Sequence, residues 1–367
     1  MNVFKSYKQC CMLFMILVIS EGLIHTAWAQ TPELRPLNVY SNPRRLNAEF
    51  WWRVDIEKNP PNTEEEKKQT PRFGKASSPA LYVWLSQPKS WEEQWASEAR
   101  WLNSRPQWTY LDPDNSNLIQ VWQKSEIAMG DSLIIHKRFT ITSFEVTYTI
   151  DPQMVGNYNK SSYLFRQYTK SESGIDKSGE IRKLARMVVG EEKNPYLRAR
   201  LLFGWIILNI SYSDETQIYS AVRTLENGIG NGANYAILFV ALCRSLDIPA
   251  RIVSGHWTSS NRGLHIWTEF YLPNYGWIPA DPAEADYDNP TTVSNDLYKK
   301  YFGHLDNKSI IISKGMNVFL WPNIRGKWLR DFGLSSDGRS PMMQIGDYVI
   351  DGLNALSDYK YTWNFWE

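Results

Sequence analysis

Gly230-Asn231-Gly232-Ala233-Asn234-Tyr235-Ala236 followed by Ile237-Leu238-Phe239-Val240-Ala241-Leu242-Cys243-Arg244 decides how this chain is read. A Gly- and Asn-rich lead-in gives way to apolar residues at 235, 238, 239, 242, 243 and 246. That spacing of i, i+3, i+4, i+7, i+8 and i+11 marks the buried stripe of a helix. Downstream, Ala250 to Gly255, Leu264 to Leu272 and Gly276 to Asp281 read as strands, with Pro273-Asn274-Tyr275-Gly276 turning between the last two. Upstream, Ile181 to Val189 reads as a helix. Asn194-Pro195 starts another that runs to about Ile210, with Asn as cap and Pro at the first helical position. Helices first and antiparallel strands afterwards describe an α+β unit, not a parallel α/β sheet.

Residues 47 to 170 have a different rhythm. Ala80 to Leu85, Asn117 to Trp122, Ser132 to His136 and Phe144 to Ile150 are short β-branched or aromatic runs between Pro, Gly, Asn and Asp clusters, the pattern of an antiparallel Ig-like sandwich. One helix is expected to interrupt it after Ser90, where Ser90 and Glu93 form a capping box and Trp91, Trp95 and Leu102 recur on one face. The stretch from Lys58 to Pro71 is charged and reads as a solvated loop, and the polar Lys170 to Lys177 marks a boundary. The fold class is therefore mixed, an all-β Ig-like sandwich followed by an α+β core of helices on an antiparallel sheet. The expected divisions are a leader at 1–29, a sandwich at 30–172, a core at 173–320 and a C-terminal extension at 321–367, for which short strands and loops are expected.

The leader is read from Lys5 and Lys8, an apolar run from Cys11 to Ile24, and the small-x-small pattern Ala27-Trp28-Ala29. Cleavage after Ala29 would make the product secreted or periplasmic, with no membrane span in the mature chain. It removes two Lys and one Glu from totals of 40 basic and 39 acidic residues, leaving 38 of each. A neutral chain without a basic run is not built to capture nucleic acid or an anionic membrane. Cys10 and Cys11 leave with the leader, so Cys243 is the one mature thiol and no intramolecular disulfide is expected. His136, His256, His265 and His304 have no metal-ligand spacing, so neither a metal nor another cofactor is expected.

Acyl-transfer chemistry needs a nucleophile beside a His, and a carboxylate to orient that His. Gly230-Asn231-Gly232-Ala233-Asn234-Tyr235-Ala236, Leu238 to Arg244, Ile248-Pro249-Ala250-Arg251, His265-Ile266-Trp267-Thr268-Glu269 and Gly276-Trp277-Ile278-Pro279-Ala280-Asp281-Pro282 together resemble the core of the transglutaminase-like superfamily. That superfamily is related in architecture to papain-like cysteine proteases. The resemblance covers about Ile181 to Pro282, and Tyr301-Phe302-Gly303-His304 through Gly315 resembles the segment that follows in secreted bacterial members. It implies a Cys–His–Asp triad in which His265 and Asp281 match two members. The position of the nucleophile, the third residue of a Gly-x-Cys block, is occupied by Gly232.

Nothing nearby replaces it. Cys243 lies eleven residues further along the helix, roughly 16 Å at 1.5 Å per residue, and on the apolar stripe. No Ser or Thr occurs between Leu225 and Phe239. Asn231 and Asn234 shape the helix start. The His265–Asp281 pair is then read as a buried polar pair at the base of a cleft, or as a general base acting on water. The expected function is non-catalytic binding of a peptide, a protein or a cell-wall glycan polymer such as peptidoglycan, with Asn231, Asn234, Tyr235 and Trp267 lining the inherited cleft. The alternative is an active, cysteine-independent protease, amidase or acyltransferase using His265 and Asp281. Among 17 Trp in 367 residues, Trp91, Trp95, Trp101 and Trp108 crowd one region outside the matched core. They are a second candidate binding surface, because indole faces stack on sugars and peptides, although aromatic residues also close the ends of sandwiches.

Overall fold

Every second residue of one long strand faces inward: Leu46, Ala48, Phe50, Trp52, Val54 and Ile56 are all buried. This is β1 (Asn38–Glu57), and the period of two is what a sheet with one covered face requires. The computed structural model describes residues 38–57, 78–259, 262–288, 293–324, 339–340, 346–351, 353 and 356–367. The expected leader and the loop from Lys58 to Pro71 lie outside the described residues. After β1 come β2 (Ala80–Gln87), β3 (Gln94–Ala96), β4 (Arg100–Trp101), β5 (Trp108–Leu111), β6 (Leu118–Ser125) and β7 (Ser132–Tyr148). β7 joins into one element the two runs expected at 132–136 and 144–150.

β1 pairs antiparallel with β7, and β2 with β6, so two antiparallel sheets face each other. Between them lie Phe50, Trp52 and Val54 from the first sheet and Leu81, Val83 and Trp122 from the second. Each such side chain contributes about 1.5–3 kcal/mol by leaving water.

The helix expected after Ser90 is not formed. The Ser90 hydroxyl accepts from Ala96 N at 3.0 Å instead of capping a first turn, and Gln94 to Ala96 pair with Ser143 to Ile141 of β7. The Gln94 amide also binds the Ile311 backbone from both sides, donating to its carbonyl at 2.9 Å and accepting from its N–H at 2.7 Å. A local capping signal is worth about 1 kcal/mol and loses to sheet pairing plus two buried hydrogen bonds.

The core follows as α1 (Tyr163–Thr169), α2 (Gly179–Val189), α3 (Pro195–Asn209), β8 (Ser211–Tyr212), α4 (Ala221–Asn227), β9 (Ile229–Gly230) and α5 (Gly232–Ser245). The sheet elements β10 (Ala250–Trp257), β11 (Leu264–Leu272) and β12 (Gly276–Ala280) come next, then α6 (Pro282–Asp288), α7 (Asn295–Tyr301), β13 (His304–Leu305) and β14 (Ser309–Lys314). The core sheet runs β12-β11-β10-β14, antiparallel throughout. α5 is buried from Ala233 to Arg244, not along one stripe only, because α2, α3, α4 and the sheet enclose it.

The C-terminal segment returns to the strand-rich region. β15 (Asp347–Asp351) pairs with β2, and β16 (Leu356–Trp366) pairs with β1 from Asn47↔Trp366 to Glu57↔Leu356. β13 adds to β7. The described strands and helices all fall in one compact unit, Leu37–Glu367.

Candidate functional site

The start of α5 is fixed by two asparagines. Asn231 Oδ1 accepts from Ala233 N and Asn234 N at 3.0 and 3.3 Å, satisfying donors that a helix start leaves open. Its amide donates to Thr216 O at 2.8 Å. Asn234, fully buried, accepts from Tyr219 N at 2.6 Å and donates to Gln217 O at 2.8 Å. The pair pins the 213–219 loop against the helix. Gly230 makes this possible, since a Cβ there would stand 2.5 Å from Asn234 Cβ. Gly232 is different: a Cβ there would meet nothing closer than Ile266 O at 3.8 Å and Ala283 Cβ at 3.9 Å, ordinary contact distances.

β11 carries His265 to the same place. Its Nε2 lies 2.8 Å from Asp281 Oδ2, and both side chains are largely buried. Asp281 follows β12 directly, and its other oxygen accepts from Glu284 N at 3.1 Å, so one carboxylate both orients the imidazole and caps α6. The ring is held between two indoles, Trp257 at 4.3 Å and Trp267 at 5.2 Å between centroids. Arg262 covers the Trp257 ring at 4.2 Å and is itself fixed by Glu284 at 2.5 Å. Burial, and then the charge of Asp281, push the Glu284 carboxyl above its usual range.

Gly232 and His265 both line a cleft of about 550 Å³, together with Asp214, Arg262, Glu284 and Tyr287. Tyr287 is 65% exposed at its rim. Edge-on to it at 5.8 Å between ring centroids, Tyr212 donates to Asp214 at 2.6 Å, and burial together with that carboxylate raises the phenol pKa. Chemically, the pair can orient an imidazole and pass a proton, and the cleft offers carboxylates, a guanidinium and aromatic rings to a ligand. The Cys243 thiol is fully buried at the other end of α5, and burial pushes its pKa well up. Among the described residues, no group of three or more His, Cys, Asp or Glu is placed to hold a metal ion.

The other residues selected from sequence do not gather here. Tyr235 is fully buried, with its hydroxyl against Asp286 and Ile210 O, both at 2.6 Å. Trp267 is buried beneath His265 and packs on Gly255, where a Cβ would come within 2.7 Å of the indole. These two support the site from behind and do not face a ligand, and Asn234 acts through the loop it holds. Trp91 packs on the Val253, Trp267 and Ile311 cluster, Trp101 stands edge-on to Trp122 at 5.5 Å, and Trp108 stands edge-on to Trp321 at 5.5 Å. Only Trp95 of the four is strongly exposed, at 62%. None of the four lines the cleft. Sequence reasoning passed over Trp257, Arg262 and Glu284. The pairing of Gly255 with His265 carries Trp257 beside the imidazole, whereas Arg262 and Glu284 meet only through tertiary packing.

The sequence model of the transglutaminase-like superfamily matches residues 182–282, a span that holds Gly232, His265 and Asp281. An uncharacterized protein of Haemophilus influenzae is 22% identical over 235 residues, 54% of this chain and 61% of that protein. The peptide-N(4)-(N-acetyl-beta-glucosaminyl)asparagine amidase of Drosophila melanogaster is 30% identical over 116 residues, 31% of this chain and 14% of that enzyme. The chain thus spans less than two thirds of either relative. The crystal structure of a candidate cysteine protease from Cytophaga hutchinsonii superposes over 90% of this chain and 93% of its own, with a TM-score of 0.58 and 15% identity, a likeness of fold.

Proposed function

Starting from a transglutaminase-like domain at 182–282, we propose that the cleft binds a peptide, protein or cell-wall polymer without cleaving it, Gly232 standing where the family's nucleophile stands. The observation that carries this reading is the space at Gly232. A Cβ there would meet only ordinary contacts, in a cleft that His265 also lines, and none is there. The His–Asp pair keeps a structural use without a nucleophile, because Asp281 caps α6 and the imidazole fills the gap between Trp257 and Trp267. Exposed Tyr287 and Asp214, with the half-buried Glu284, suit an extended chain with amide or hydroxyl donors. On this reading residues 1–29 form an export leader, and the ligand is met outside the cytoplasm. No helix among the described residues is long and apolar enough to cross a membrane.

The test is incubation with a panel of peptides, peptidoglycan fragments and amine donors, followed by mass spectrometry and by binding measurements. Binding without turnover is expected, with affinity little changed in H265A. Turnover that H265A abolishes would replace this reading with that of a cysteine-independent hydrolase or acyltransferase in which His265 activates water.

A further inference from the structure

The far end of α5 borders a second cleft, of about 670 Å³, lined by five cationic side chains, Lys177, Arg182, Arg186, Lys193 and Arg198, and by two carboxylates, Glu191 and Asp247. The whole sequence has 40 basic and 39 acidic residues, so a surplus of three positive charges in one cleft is a local concentration. Asp247 is engaged by Lys160 at 3.0 Å, and Glu191 reaches only Lys193, at 3.7 Å. Arg182 and Arg186 are one turn apart on α2, and neither has a carboxylate within ion-pair distance among the described residues. Burial lowers the Lys177 pKa, with Arg182 and Arg244 adding to the fall against the opposing charge of Asp247.

Lys177 donates to Thr169 O at the end of α1 at 2.7 Å and Arg198 to Glu192 O at 2.5 Å, but Arg182 and Arg186 are not needed to cap helix ends. The Arg186 and Val189 carbonyls at the end of α2 accept from Gly190 and Glu192 N, and the Cys243 and Arg244 carbonyls at the end of α5 accept from the backbone of residues 246 to 248. The Ser245 hydroxyl in the same cleft is shielded from solvent and has no hydrogen-bond partner. Crowded, uncompensated guanidinium groups beside an unused hydroxyl are the donors that a multiply charged oxyanion requires.

We propose that this cleft binds the phosphate or diphosphate group of a small ligand, at a site roughly 20 Å along α5 from Gly232 and separate from the His265 cleft. Isothermal titration calorimetry of the full chain with inorganic pyrophosphate tests it. One-to-one binding that weakens with added salt is expected, together with at least a tenfold loss of affinity in R182Q/R186Q. Both arginines are exposed on α2, so this variant is expected to keep the wild-type circular dichroism and melting temperature. R182K/R186K, which keeps charge but loses the planar fork, is expected to fall between the two. Phosphatidylglycerol vesicles distinguish the source: sedimentation competed by pyrophosphate points to a lipid headgroup, and pyrophosphate binding without sedimentation points to a soluble phosphate. Absence of pyrophosphate binding, or equal binding by R182Q/R186Q, overturns the proposal.

Discussion

Glu269→Gln is expected to destabilise the whole chain, and the size of the effect follows from four buried charges. Glu269 accepts from Arg251 and from Lys314, each at 2.7 Å, and Lys314 also reaches Glu93 at 3.2 Å. Glu93 belongs to the strand-rich region, whereas Arg251, Glu269 and Lys314 lie on β10, β11 and β14 of the core sheet. The cluster is neutral, with two carboxylates and two cations. Burial alone would push the Glu269 carboxyl up, but Arg251 and Lys314 hold it down at about 2. Replacing it by an amide leaves two buried cations facing one carboxylate, and breaking a buried pair in this way costs about 3–5 kcal/mol. Against a total of about 5–15 kcal/mol that is about a fifth of the stability or more. Urea unfolding followed by tryptophan fluorescence and circular dichroism reads the loss as a fall in midpoint. E93M/K314M removes one charge of each sign and leaves Arg251 balanced by Glu269. It is expected to lose less than the sum of its single variants, with a coupling of about 0.5–3 kcal/mol. A loss below about 1 kcal/mol for E269Q, or strict additivity in the cycle, would refute the reasoning.

Lys137 is fully buried between the sheets, donating to Gln87 and Gln120 amide oxygens, and burial lowers its pKa to about 7. Between pH 7 and the unfolded value near 10.4 the folded state holds fewer protons than the unfolded one. Stability is therefore lost as pH falls through that window, and the penalty is complete below about 7. Relative to K137M, wild-type stability is expected to rise from pH 7 to 9 by up to about 1.4 kcal/mol per unit; a parallel pair of pH profiles contradicts this. Gly255→Ala would place a Cβ 2.2 Å from Ile310 O and 2.7 Å from the Trp267 ring and is expected to cost about 1–3 kcal/mol. Gly232→Ala, whose Cβ would meet only ordinary contacts, is expected to stay within about 0.5 kcal/mol of wild type, and thermal melts of the two compare them. Deleting 356–367 removes the strand paired along β1 and leaves the β1 edge without its partner; loss of cooperative unfolding is expected, and a truncated chain that melts like wild type would contradict the topology.

The helices at 179–189 and 195–209 and the three strands after α5 are legible because their signals are local: an Asn-Pro start, apolar spacing and a Pro-Asn-Tyr-Gly turn. The segment after Ser90 misleads because its capping pattern competes with β7 and with Ile311, more than two hundred residues away. The tail held a usable signal, since Tyr359, Tyr361, Trp363 and Phe365 alternate at a period of two. Its partner β1 is about three hundred residues upstream, and only the folded chain discloses that pairing. At the site, motif order leads to Gly232, His265 and Asp281. The stack of Arg262, Trp257 and His265 and the anchoring of Arg262 by Glu284 arise where a hairpin meets α6, and no spacing in the sequence encodes that meeting.

On the proposed reading, the site lacks a nucleophile and nothing else. Gly232→Cys tests it most directly, by the rate at which iodoacetamide alkylates the new thiol at neutral pH, compared with G232C/H265A. In a chain starting at residue 30, which lacks Cys10 and Cys11, the buried Cys243 serves as the unreactive background. If the His265–Asp281 pair is still oriented for catalysis, the new thiol at the start of α5 is expected to react at least tenfold faster with His265 present than without it, its thiolate favoured by the imidazole and the helix N-terminus. Equal rates in the two variants would show that the pair no longer serves position 232, and would contradict the account.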